Sequence, residues 1–145
     1  INTDPLISLN TKNNLLLNLA AGQLKNGASL TRNRTFVTNL GGKKNGYVTI
    51  KVSVDYDGEY SLIVDYILKS TKKYNLNTLT LLVNYNSLGN VFSFISNPYI
   101  KNTTNKHEVT LKLTKGENII TFTGNGYYPA PDLGEATLTL KSKIK

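Results

Sequence analysis

A chain of 145 residues fits one domain, and a domain of that size buries roughly two-thirds of the surface its unfolded form exposes, so a core can form without covalent staples. Cys is absent, which excludes a disulfide framework, a thiolate nucleophile and zinc-thiolate or iron–sulfur sites. The net charge of +8 raises polyanions as partners, but the basic residues are scattered. Only Lys43-Lys44, Lys72-Lys73 and the alternating Lys141, Lys143, Lys145 stand out, and alternating Lys on a strand first serves to keep a sheet edge from pairing.

Residues 1–14 predict a linker or N-terminal arm, with a β-sandwich over 15–145. No signal-peptide pattern occurs in Ile1 to Leu9, and no apolar run reaches the ~20 residues of a membrane-spanning helix, so no direct membrane insertion is expected. The absence of Met leads to the expectation of flanking modules in a larger multidomain protein. Leu15 to Leu19 and Ala28 to Arg32 predict short strands, although Leu15 to Leu24 is apolar enough to leave a helix open. From Tyr47 the run Val48, Ile50, Val52, Val54 alternates with Thr49, Lys51 and Ser53, which predicts a half-buried strand. Asp57-Gly58 turns the chain into Glu59 to Lys69, whose two faces are both fairly apolar, as in a central strand. Thr78 to Val83 predicts a further strand, joined through Asn84-Tyr85-Asn86 and Gly89-Asn90 to a partner over Val91 to Ile95. His107 to Leu113, Asn118 to Thr123 and Glu135 to Leu140 complete the set. About ten strands at this spacing predict an all-β, two-sheet antiparallel sandwich of jelly-roll type. Three stretches rich in Asn, Gly, Pro, Thr and Tyr, namely 33–46, 97–105 and 124–134, predict long loops.

Catalytic groups are scarce. His107 is the one His in the sequence, and its neighbour Glu108 on the same strand must point to the opposite face. No P-loop, metal-binding His pair or nucleophile-elbow motif occurs, so an enzyme is not expected. Aromatic usage points to binding instead. Tyr99 follows Asn97-Pro98, and Tyr127-Tyr128 precede Pro129-Ala130-Pro131-Asp132. A loop Tyr offers a flat apolar face with a polar tip, which suits stacking on a sugar ring while bonding its hydroxyls. Packing over the end of the core is the alternative role for these rings. Single-stranded nucleic acid would need Lys and Tyr interleaved on one strand pair; that pattern is missing, and no nucleic-acid partner is expected.

The ordered features from Leu17 to Leu140 resemble the galactose-binding-like sandwich of carbohydrate-binding modules, families six and thirty-five. The resemblance is carried by Tyr47-Val48-Thr49-Ile50-Lys51-Val52, by Asp57-Gly58-Glu59-Tyr60-Ser61-Leu62 and by Leu81-Leu82-Val83-Asn84. It continues through Tyr99 to Leu113, Lys115-Gly116-Glu117-Asn118-Ile119-Ile120-Thr121-Phe122 and Ala130-Pro131-Asp132-Leu133-Gly134. Composition also resembles modules of mycoplasma surface lipoproteins and haemagglutinins. The resemblance implies a non-catalytic, lectin-like module at the cell surface or secreted, with a glycan or host glycoprotein as partner. A structural or protein-adhesive domain contacting a host protein is the alternative. It implies ligand contacts from Phe36 or Tyr47 in the early loop, from Asn97 and Tyr99 in the second, and from Tyr127, Tyr128 or Asp132 in the last. Acidic sugars would add Arg34, Lys43, Lys44 or Lys101. The family's structural calcium would fall on Asn18, Ala20 and Gly134, which supply no carboxylate to hold it, while Asp132 could still serve by a register shift; no cofactor is expected beyond that open calcium alternative.

Overall fold

The computed structural model describes residues 6–8, 15–31, 33–68, 75–96, 104–125 and 128–143. Among them run twelve strands: β1 (Leu6–Ser8), β2 (Leu15–Asn18), β3 (Gln23–Lys25), β4 (Ser29–Thr31), β5 (Phe36–Thr38), β6 (Tyr47–Val54), β7 (Gly58–Ile67), β8 (Asn75–Val83), β9 (Asn86–Ser96), β10 (Asn105–Leu113), β11 (Gly116–Thr123) and β12 (Asp132–Lys143). One 3-10 turn, Leu19–Ala21, follows β2. The strands form two six-stranded sheets. The first runs β1-β6-β11-β8-β9 with β3 beside β6, and the second runs β10-β7-β12-β5-β4 with β2 beside β12. Pairing is antiparallel except between β1 and β6. The all-β sandwich expected from the sequence is the fold observed.

Alternation decides which side of each strand is buried. In β6, Val48, Ile50 and Val52 are sealed inside, while Tyr47 and Lys51 face outward. Against them, across the gap between the sheets, lie Tyr60, Leu62, Leu111 and Leu138 of the second sheet, all buried. Each such side chain contributes roughly 1.5–3 kcal/mol on leaving water. The sheets are also linked by aromatic rings: Phe92 of β9 sits 4.7 Å from the Tyr66 ring and 5.0 Å from the His107 ring.

The structure departs from the sequence-based expectation in several places. Within the stretch read as a linker or arm, Leu6–Ser8 pairs in parallel with Lys51–Ser53. The stretch expected as the loop 33–46 contains β5, which is short but adds an edge to the second sheet through β4 and β12. The hairpin connection expected from Asn84 through Asn90 is present but tighter, a two-residue turn. Asn84 and Tyr85 both take positive φ, 49° and 69°, the signature of the hairpin turn that matches strand twist. Residues 86–89 were not legible as strand because β9 is an edge strand, exposed on both faces there. Finally, the β12–β7 register shifts between Leu133 and Ala136. The extra β12 residue forms a bulge, which re-aims side chains beside the candidate site described below.

Candidate functional site

One pole of the sandwich gathers the ends of both sheets. Thr123 closes β11 opposite Tyr47, the chain crosses to the second sheet, and it enters β12 with Asp132 opposite Ile67 and Leu133 opposite Val37. At this pole the three stretches that the sequence marks as loops meet. Arg34, Thr35 and Phe36 from the first, Thr104 from the second and Gly134 from the last line one cleft of about 440 Å³, completed by Asn18, Asp65 and Glu135.

Each wall has a local cause. Asn33 and Arg34 both adopt left-handed φ, 60° and 65°, so the chain reverses just before β5 and leaves Arg34 and Thr35 exposed. Phe36 alternates with the fully buried Val37, which puts its ring on the outer side of the sheet. There the ring lies over Gly134: a Cβ at that glycine would fall 2.9 Å from Phe36 Cε2. Gly134 therefore makes a flat seat for the ring. Beside it the bulge carries Glu135 outward to solvent, directly opposite Asn18 of β2. Asp65 stands on the outer face of β7, where it accepts a 2.6 Å bond from Lys106 Nζ. Asn18 Oδ1 accepts from Ala20 N at 3.2 Å and caps the 3-10 turn. The cleft thus combines one half-buried aromatic face with carboxylate acceptors, a guanidinium and amide and hydroxyl groups. An apolar ring among hydroxyl-bonding groups is the chemistry that a sugar, apolar on its faces and polar on its rim, requires.

No protein-family model matches the sequence, and no curated protein sequence matches it. Solved structures do match in shape. A family 35 carbohydrate-binding module from Clostridium thermocellum superposes with a TM-score of 0.69 at 19% identity, covering 89% of this chain and 99% of that one. A further such module, from Paenibacillus barcinonensis, gives 0.70 at 15% identity, covering 88% and 99%. The chain has the family 35 module fold. The same fold lies in exo-β-1,3-galactanase from Phanerochaete chrysosporium bound to galactose, with a TM-score of 0.66, 20% identity and 87% of this chain covered. This chain spans 28–29% of the galactanase chains it matches.

Within the family 35 fold, the predicted contact residues are distributed as follows. Phe36 lines the cleft. Tyr47 does not: it lies on the outer face of the first sheet, in a separate groove. Tyr128 is exposed at 44% and sits in the crossing segment, which closes on itself as Tyr128 N donates to Asn125 Oδ1 at 2.7 Å and Asn125 N to Tyr128 O at 3.1 Å. Asp132 is 5% exposed, so the expectation that it meets a ligand at the rim is corrected. It opens β12 between the buried Pro131 and Leu133 and is covered by the fold. Asn97, Tyr99 and Tyr127 lie outside the described residues. The sequence reading missed Asp65, Glu135 and Thr104. A signal existed for Asp65, a carboxylate in an otherwise apolar strand.

The positions that the resemblance assigns to calcium do not fit it. Asn18 already uses its side-chain oxygen on Ala20, Ala20 ends in a methyl and Gly134 has no side chain, whereas calcium takes a carboxylate-rich oxygen shell. Among the described residues no group of three or more His, Asp or Glu comes together. His107 and Glu108 point to opposite faces, as the strand period requires. His107 Nε2 lies 2.9 Å from Val91 O beside the Phe92 ring between the sheets, while Glu108 accepts from Ser61 Oγ on the outside.

Proposed function

We propose that this chain is a non-catalytic carbohydrate-binding module of an extracellular or cell-surface protein, with its glycan held in the polar cleft. The observation that carries the reading is the seating of the Phe36 ring on Gly134 inside a cleft built from three loops distant in sequence. The family 35 fold supports it, since proteins of that name bind carbohydrate on the same scaffold. In this reading Phe36 stacks on a sugar face, Glu135 and Asp65 accept from hydroxyls, and Arg34 and Asn18 donate. Tyr128, exposed in the segment that crosses between the sheets, is a further stacking candidate in this reading. A shallow single site of this kind gives Kd in the micromolar to millimolar range, about 4–8 kcal/mol, and repeated copies or flanking modules in a larger protein raise the avidity. Host surface glycoproteins are the partners this chemistry fits. A glycan array followed by calorimetric titration of the best ligand tests the proposal. Binding that Phe36→Ala weakens at least about tenfold supports it, and a blank array refutes it.

A further inference from the structure

The tripeptide Lys-Asn-Gly occurs twice, as Lys25-Asn26-Gly27 and as Lys44-Asn45-Gly46. Asn followed by Gly is prone to lose its side-chain amide, because the amide nitrogen of a residue without Cβ is free to reach the neighbouring side-chain carbonyl carbon. By local sequence the two copies should react alike. The fold brings them together at a small cleft of about 330 Å³, lined in part by Asn26, Gly27, Lys43 and Lys44, where Asn26 Nδ2 lies 3.5 Å from Asn45 O. It nevertheless gives them opposite surroundings.

Gly46 is buried and locked. Its N–H donates to Gly41 O at 3.2 Å, its carbonyl accepts from Gly41 N and from Thr123 Oγ1, both at 2.7 Å, and its α-carbon faces Asn39 O with no room for a side chain. Asn45 N in turn donates to Gly42 O at 3.1 Å. The nitrogen that would attack the Asn45 side chain is therefore held in place, and several bonds must break together before it can turn. Asn26 and Gly27 are both exposed, at φ 56° and 90° in the tight turn between β3 and β4. One backbone bond closes that turn, from Ala28 N to Lys25 O at 3.2 Å, and among the described residues the Gly27 N–H has no hydrogen-bond partner. The contact from Asn26 Nδ2 to Asn45 O is long for a hydrogen bond. A turn held this lightly opens at little cost, and the peptide nitrogen is then free to swing toward the side chain. The Lys44 stem crosses the turn, with Cδ 3.1 Å from where a Gly27 Cβ would stand, which keeps a cation beside the nitrogen that must give up its proton.

We propose that Asn26 is a site of spontaneous deamidation and isoaspartate formation in the folded protein, with water as the co-reactant, and that Asn45 is protected by the fold. The Gly27 nitrogen gives its proton to solvent and attacks Asn26 Cγ; the new N–C bond closes a five-membered succinimide, and Nδ2 leaves with a further proton as ammonia. Water then opens the ring at either carbonyl, giving aspartate or the β-linked isoaspartate. Either product lowers the net charge of +8 by one and sets a carboxylate beside Lys43 and Lys44, so the cleft becomes less attractive to an anion. The isoaspartate also lengthens the main chain inside the turn that links β3 of the first sheet to β4 of the second. The site is independent of the glycan-binding reading.

The test is peptide mapping, with electron-transfer fragmentation to distinguish isoaspartate, of the full chain aged in mildly alkaline buffer, folded and in urea. In the folded protein, acid at Asn26 is expected to accumulate at least about tenfold faster than at Asn45. In urea, where only the shared tripeptide is left, the two rates should converge. Asn26→Gln should abolish the change at that position, since the longer side chain closes a slower six-membered ring. Equal rates in the folded protein, faster change at Asn45, or a difference that persists in urea overturns the assignment. So does a folded protein whose Asn26 stays intact while the urea-treated chain reacts.

Discussion

The ring of Phe36 rests on Gly134, so close that a Cβ at the glycine would sit 2.9 Å from Cε2 and 3.0 Å from Cζ of the ring. Two residues nearly a hundred positions apart in the chain are joined because β5 and β12 are neighbours, with Val37 opposite Leu133. Gly134→Ala must push the ring outward. Since the clash is with the far end of a side chain and not with backbone, the stability loss should be small, about 1–2 kcal/mol, while glycan affinity drops several-fold as the platform tilts. Chemical denaturation and titration on the same sample check the two effects together.

Asn118 is fully buried and bonds in several directions. Its Nδ2 donates to Thr114 O at 2.7 Å and Gly116 O at 3.1 Å, and its Oδ1 accepts from Thr114 N at 3.2 Å and Asn84 Nδ2 at 3.0 Å. Asn118→Ala leaves those backbone groups and Asn84 without their partner in a dry setting, at about 1–3 kcal/mol or more. The expected outcome is a loss of about 3 kcal/mol measured by urea unfolding. A loss below about 1 kcal/mol would mean that water takes over the network.

Burial raises the Tyr60 phenol above its ordinary value of 10.0, and the negative charges of Asp55 and Asp57 add to the rise. The neutral phenol is therefore favoured in the folded state. The unfolded chain releases this proton first, binding fewer protons than the native state once pH exceeds about 10. Stability should hold below that pH and fall as it rises toward the folded-state value. Tyr60→Phe removes this contribution to the slope at the expense of the 2.7 Å bond to Tyr56 O. Melting temperatures recorded from pH 8 to 11 for both proteins read the difference.

The Lys106–Asp65 pair is short at 2.6 Å, yet its lysine is 69% exposed. Exposed pairs contribute about 0–1 kcal/mol and are screened by salt. Lys106→Ala should leave the unfolding midpoint nearly unchanged, and it should alter glycan affinity only through the freed Asp65 carboxylate. A stability loss above about 1.5 kcal/mol would contradict that assignment.

The fold was legible because most strands bury one face, so that Val48, Ile50 and Val52 announce both the strand and its inward side. Strands β1, β3 and β5 were not legible. At three residues each they are too short to show a period, and pairing with a longer neighbour decides them. The site was legible in part. Phe36 follows only from the resemblance to carbohydrate-binding modules, and the meeting of the three stretches is set by the pairing of β5 with β12, which no local pattern displays. Asp65 stood out as a carboxylate in an apolar strand, but its place in the cleft, like that of Glu135, depends on the β12 bulge and the β7 register, which are equally hidden from local pattern. Asp132 looked like a rim residue because Asp is common in loops; its position at the start of a central strand buries it.

The most direct test of the central claim is backbone amide chemical-shift mapping during titration with the best saccharide from an array. The account predicts that the largest shifts fall on Phe36, Thr35, Gly134, Glu135 and Thr104 and vanish in Phe36→Ala. Shifts confined to surfaces away from that cleft, with Phe36→Ala binding as well as wild type, would contradict it.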